Sequence, residues 1–151
     1  MSRILAIDYG GKRTGIAVSD PLRIIASGLD TVPTSELMAF LKQYTSEETV
    51  TQFVVGEPLD MNDQVTSTTQ MVYDFVEKLK VEFPDIPVTY VDERMTSIEA
   101  SRILVQSGVK KKKRREKGRI DRISAILILQ DYIEQLRRWN NMTIGTFEKG
   151  D

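Results

Sequence analysis

Three acidic residues stand where a folded chain could hold them rigidly. Asp8 closes the apolar run Ile4–Ile7 and precedes Gly10 and Gly11; Glu93 comes shortly after the apolar-rich run Val88–Val91; Asp121 lies between Ile120 and Ile123. An acid after a buried strand points out at a sheet edge, and an acid at a buried helix start is aimed across the neighbouring surface. Each has a plainer reading: Asp8 as a turn residue, the Asp92–Glu93 pair as a solvated acid patch before a capping Thr96 or Ser97, and Asp121 as a complement to the helix dipole. Together they suggest more. Three carboxylates in one place repel one another and raise each other's pKa. A divalent cation removes that conflict, and an oxygen-only donor set suits Mg²⁺ or Mn²⁺. Beside a basic segment, such a site points to phosphodiester hydrolysis.

Composition narrows the alternatives. The 151 residues include no histidine and no cysteine. Disulfide scaffolds, zinc fingers, iron–sulfur centres, His-ligated haem, Ser-His-Asp triads and Cys-His pairs are thereby excluded. Chemistry must run on carboxylates, lysines, hydroxyls or a metal held by oxygen. The total charge of −1 hides a polarised chain, because residues 110–122 hold nine Lys/Arg against two acids, a local charge of +7. A compact basic segment on an otherwise acidic protein suggests a polyanion partner. The first apolar run spans four residues, too short for a signal peptide or a membrane span, so the expectation is a cytoplasmic protein with no membrane partner.

The elements that must position the acids are readable from periodicity. Strands are expected at Arg3–Ile7, Gly15–Ser19, Ile24–Ser27, Phe53–Val55 and Val88–Val91. Gly10 and Gly11 suit a hairpin turn between the first two. A helix capped by Ser35 should run to Tyr44 with Leu37, Phe40, Leu41 and Tyr44 on one face. A second should cover Asp63–Glu82 with Met71, Val72, Phe75, Val76 and Leu79 inward. A third is expected over Ser97–Gln106, then a mobile basic loop, then a helix over Ile120–Arg138 whose first half, ISAILIL, is apolar nearly all round and should be buried. The order implies an α/β protein, a mixed five-stranded sheet flanked by helices, in one domain over 1–139 with a loose tail over 140–151.

Four blocks resemble the YqgF/RuvX family, the Holliday-junction-resolvase-like or pre-16S rRNA nuclease proteins. They are Asp8-x-Gly10-x-x-Arg13-x-Gly15-x-Ala17-x-Ser19; Val55-Gly56-Glu57-Pro58-Leu59; Asp92-Glu93-Arg94-Met95-Thr96-Ser97 with Ala100; and Lys117 with Ile120-Asp121, Ala125, Ile128-Leu129-Gln130 and Tyr132. The resemblance implies an RNase H-like fold, Asp8, Glu93 and Asp121 as catalytic residues and metal ligands, and maturation of the 5′ end of the small-subunit (16S) rRNA precursor. Two positions depart from the family pattern: Glu57 replaces a usually apolar residue and is open to being an extra metal ligand, and Ser124 replaces a usual alanine.

The leading expectation is a Mg²⁺- or Mn²⁺-dependent nuclease on structured RNA. Lys12, Arg13, Arg94, Lys110, Lys111, Lys112, Lys113, Arg114, Arg115, Lys117 and Arg119 would draw in the phosphate backbone without reading sequence. Resolution of branched DNA uses the same chemistry and stays open. A non-catalytic ribosome-assembly factor would be favoured were one of the acids missing. An actin-like ATPase, suggested by the Asp-x-Gly tract, needs a duplicated half for which 151 residues leave no room.

Overall fold

The computed structural model describes residues 2–92 and 117–149, the side chains of 117–122 and 141–149 excepted. Five strands form one mixed sheet: β1 (Arg3–Asp8), β2 (Arg13–Ser19), β3 (Ala26–Pro33), β4 (Val50–Glu57) and β5 (Val88–Asp92), in the order β3-β2-β1-β4-β5. β1, β2 and β3 are an antiparallel meander; β4 and β5 join β1 in parallel. Helices α1 (Leu37–Glu47) and α2 (Ser67–Glu82) connect the later strands, and α3 (Lys117–Lys149) follows.

The alternation of a strand sorts the core into two layers. Leu5, Ile7, Ile16, Phe53 and Val55 turn to one face and pack with Leu37 and Leu41 of α1 and Val72, Phe75, Val76 and Leu79 of α2. Ile4, Ala6, Ala17, Val54 and Val91 turn to the other and pack with Ala125, Ile128, Leu129 and Ile133 of α3. β1 and β4 are buried on both faces, which is why they read as unbroken apolar runs.

Several boundaries differ from the periodicity. The third strand begins at Ala26, not Ile24, because residues 20–25 are a turn built on Asp20. Its carboxylate accepts from the backbone N–H groups of Leu22, Ile24 and Ile25, and Arg23 is left-handed at φ 59°. Those contacts, the one from Ile25 foremost, lower the Asp20 pKa. Ser35 caps nothing: a short 3₁₀ turn over Thr34–Glu36 leads into α1. α2 starts four residues later than expected, since Asp63 is left-handed at φ 62° and Thr66 supplies a capping box with Thr69. Met71 is exposed, on the rim of the α2 stripe. The expected helix over 97–106 lies outside the described residues. α3 is longer than expected at both ends. It takes in Lys117–Arg119, which belonged to the expected basic loop, and runs past Arg138 through the stretch expected to be irregular. No proline follows Pro87 in the sequence, so nothing in the chain forces a stop there.

Candidate active site

Asp8 is the last residue of β1, half-buried, and faces Gly15 across the hairpin. The turn beyond it is tightly held. A Cβ on Gly10 would lie 2.3 Å from the Arg13 carbonyl oxygen, so only glycine leaves room for the chain to double back. Thr34 Oγ1 donates to the Gly10 carbonyl at 2.6 Å and lies 3.0 Å from Thr14 Oγ1, and Thr34 N donates to the Lys12 carbonyl. Thr14 is completely buried. The predicted cations Lys12 and Arg13 are exposed on this same turn, within five residues of Asp8.

β1, β4 and β5 are parallel, so their C-terminal ends form one edge of the sheet, carrying Asp8, Glu57 and Asp92. Open α/β sheets bind ligands at such an edge. The direction of α3 follows from its far end. Arg137 reaches the Ile24 carbonyl at 3.4 Å, beside the point where Ser19 pairs with Ala26. Ser19 in turn accepts from Ile4 N at 2.9 Å, at the start of β1. The C-terminal half of α3 therefore covers the N-terminal end of β1, and the helix runs antiparallel to that strand. From Ile133 back to Asp121 a helix rises about 18 Å, close to the roughly 20 Å length of a six-residue strand. The backbone of Asp121 is carried to the Asp8 end of the sheet.

Glu57 faces the other way. It shares the face of Val55 and accepts a 2.5 Å hydrogen bond from the Tyr73 hydroxyl of α2, whereas Asp8 shares the face of Ala6 under α3. That separates it from a ligand set built around Asp8. The hydrogen bond to the Glu57 carboxylate pushes the Tyr73 hydroxyl up to about 12. Asp92 is exposed and, by register, sits beside Glu57. The structure thus brings the Asp8 side chain, Lys12, Arg13 and the backbone of Asp121 to one end. Glu93, Arg94 and Lys110–Arg115 lie outside the described residues, and Lys117 and Arg119 are placed by backbone alone in the first turn of α3. Among the described residues, no three metal-ligating side chains gather. Sequence reasoning missed Thr14, Thr34 and Tyr73, whose side-chain bonds to Thr34, Gly10 and Glu57 span 16 to 24 residues and leave no periodic signal.

Residues 2–135 match the family described as RuvX, Holliday junction resolvase. A protein of Bacteroides fragilis is 52% identical over 137 residues, covering 91% of this chain and 99% of its own, and one of Porphyromonas gingivalis is 52% identical over 134 residues, covering 89% and 97%. Both bear the name pre-16S rRNA nuclease. Among solved structures, RuvC of T. thermophilus in complex with a Holliday junction superposes with a TM-score of 0.55 at 15% identity, covering 90% of this chain and 96% of that one. The fowlpox virus Holliday junction resolvase gives 0.51 at 12%, covering 88% and 99%. These likenesses establish the RNase H-like fold.

Proposed function

The chain belongs to the RuvX family, and from that premise we propose that it is the nuclease that matures the 5′ end of the small-subunit rRNA precursor. It is an enzyme hydrolysing phosphodiester bonds, and its substrate is nucleic acid. The observation that carries the finer reading is the 52% identity, over almost the full length of both chains, to relatives named as pre-16S rRNA nucleases.

In this reading Asp8, Glu93 and Asp121 are the catalytic carboxylates. The direction of α3, with Arg137 on Ile24 and Ile133 in the layer with Ile4, turns the start of that helix toward the Asp8 end of the sheet, which supports this reading. Val91 turns to the α3 face and Asp92, the last residue of β5, away from it, and Glu93 follows Asp92 directly in the sequence. With no histidine or cysteine in the chain, these oxygens suit a hard divalent cation, Mg²⁺ or Mn²⁺. Such an ion, when bound, supplies positive charge to the phosphoryl group and lowers the pKa of water. Asp8 gains precision from the hydrogen-bonded turn behind it, since a carboxylate on a braced strand end keeps its orientation. Lys12 and Arg13, joined by Arg94 and the cations of 110–119, hold the phosphate backbone and position the scissile bond. Residues 1–139 act as one domain. Among the described residues no helix is long and apolar enough to cross a membrane; work on precursor rRNA, as the relatives' name has it, supports a cytoplasmic location.

The test is cleavage of labelled precursor rRNA against a four-way DNA junction, with Mg²⁺, Mn²⁺ and EDTA in parallel. Metal-dependent trimming of the rRNA 5′ end, abolished by EDTA, is expected. Faster cutting of the junction than of the precursor would make the enzyme a resolvase.

A further inference from the structure

Glu57 stands where the family resemblance has an apolar residue, and the site around Asp8 does not use it. Its surroundings are nonetheless specific. The carboxylate closes β4 and accepts the Tyr73 hydroxyl at 2.5 Å. The Tyr73 ring meets the ring of Tyr90 on β5 edge-to-face, with centroids 5.5 Å apart and planes at 70°. The strand register sets Val55 beside Tyr90 and Glu57 beside Asp92. One side chain of α2 therefore touches the final turns of two adjacent parallel strands.

The strand it steadies needs support. β5 is five residues long and, among the described strands, lies at the edge of the sheet, paired with β4. An edge strand of that length has few contacts to keep its end from fraying. Its last residue, Asp92, immediately precedes Glu93 in the sequence.

We infer that Glu57 is a positioning residue: through Tyr73 and Tyr90 it fixes the ends of β4 and β5, and so the point from which the chain delivers Glu93 to the site. The inference rests on the reading of Glu93 as a catalytic acid. The clamp needs an acceptor on residue 57 and a hydroxyl on residue 73, and it does not need Glu57 to touch substrate or metal. The burial of Tyr90, with Glu57 nearby, also raises the Tyr90 pKa. Carboxylate placement matters because a shift of about 1 Å in a reacting group can cost about a hundred-fold in rate.

Four variants of the full chain test this on precursor rRNA with Mn²⁺: Tyr73→Phe, Glu57→Ala, Glu57→Gln, and the double variant Tyr73→Phe/Glu57→Ala. Tyr73→Phe and Glu57→Ala are expected to lower kcat roughly ten-fold, the scale of one lost hydrogen bond to a charged group. They should also raise the Mn²⁺ concentration giving half-maximal rate, with KM for the RNA unchanged. Glu57→Gln, which keeps an acceptor oxygen, should restore most of the rate. The double variant should be no slower than either single one, because both break the same link. A purely structural pair would lower Tm and leave kcat intact well below Tm, and that result overturns the inference, as does a double variant whose losses multiply. If the parent protein cuts none of the substrates, the nuclease reading fails on its own account. The clamp is then read from amide hydrogen exchange at Val91 and Asp92. Faster exchange in Tyr73→Phe supports the clamp, and unchanged exchange removes it.

Discussion

Thr34 donates its hydroxyl to the carbonyl of Gly10 at 2.6 Å, tying the end of β3 to the turn that immediately follows Asp8. Two segments 24 residues apart thus share one hydrogen bond at the base of the candidate site. Thr14 lies within 3.0 Å of the same hydroxyl and within 3.5 Å of Gly10 N, so the turn is braced both from β2 and from the end of β3. Neither Gly10 nor Gly11 is held in a left-handed conformation; the demand at Gly10 is for space.

Gly10→Ala should therefore destabilise the protein and Gly11→Ala should not. An added methyl at Gly10 meets backbone oxygen at 2.3 Å, and backbone must move to admit it. Overpacking of that kind costs about 1–3 kcal/mol. At Gly11 the nearest atom is the terminal methyl of Met71 at 3.3 Å, the free end of a flexible exposed side chain. Urea unfolding should show the first loss and a change within about 0.5 kcal/mol for the second. Cleavage by Gly10→Ala should fall as well, since the Asp8 end of β1 is displaced.

Asp8→Asn and Asp121→Asn should each lower cleavage by orders of magnitude while the protein stays folded. The amide keeps the shape and removes the charge that a divalent cation requires. Loss of one of several clustered acids should leave Tm of the metal-free protein unchanged or higher, through relief of repulsion. A variant that cuts as fast as the parent takes its residue out of the catalytic set.

Alkaline unfolding should report Tyr73. Its proton is held more tightly in the folded protein, with a pKa of about 12 against an ordinary 10.0, chiefly by the hydrogen bond to Glu57. The stabilisation is fully present below pH about 10 and is lost as pH rises through about 12. Parent protein should thus lose stability between those values faster than Tyr73→Phe. Tyr44 and Tyr90 also have raised pKa values, mainly from burial, so the variant keeps a shallower alkaline slope of its own. Urea midpoints taken between pH 9 and 12 check the difference.

Replacement of Lys111, Lys113 and Arg115 by Ala should weaken nucleic-acid binding broadly and flatten its dependence on salt. Each lost phosphate contact removes about 0.9 from the slope of log affinity against log salt on a duplex, and about 0.7 on a single strand. Lys12→Ala/Arg13→Ala should add to that loss, because those two cations are exposed on the turn beside Asp8. Rate at saturating substrate should change little in the triple variant. Unaltered binding at every salt concentration would make residues 110–115 a solvated surface.

Local signals determined much of this protein. The apolar runs of β1 and β4 are visible because both faces of those strands are covered, and the inward stripe of α2 because four of its five expected positions are buried. The absence of histidine and cysteine by itself restricts the metal donors to oxygen. Periodicity starts β3 two residues early because an edge strand with an exposed face has little alternation to display, and because the Asp20 turn holds its apolar residues, Leu22, Ile24 and Ile25, outside the sheet. The length of α3 escapes periodicity since its last turns lack an apolar stripe, while helical hydrogen bonding needs none. Tertiary structure alone decided two matters. Strand alternation around β1 and β4 sent Asp8 and Glu57 to opposite faces, a distinction that depends on the pairing of Ile7 with Val55. Antiparallel packing of α3 on β1 brought position 121 to the end that holds Asp8, and that direction is fixed by contacts of Ile133 and Arg137 with segments more than a hundred residues away in the chain. No sequence window spans such a separation, because the free energy that chooses the direction comes from burying one apolar face against another.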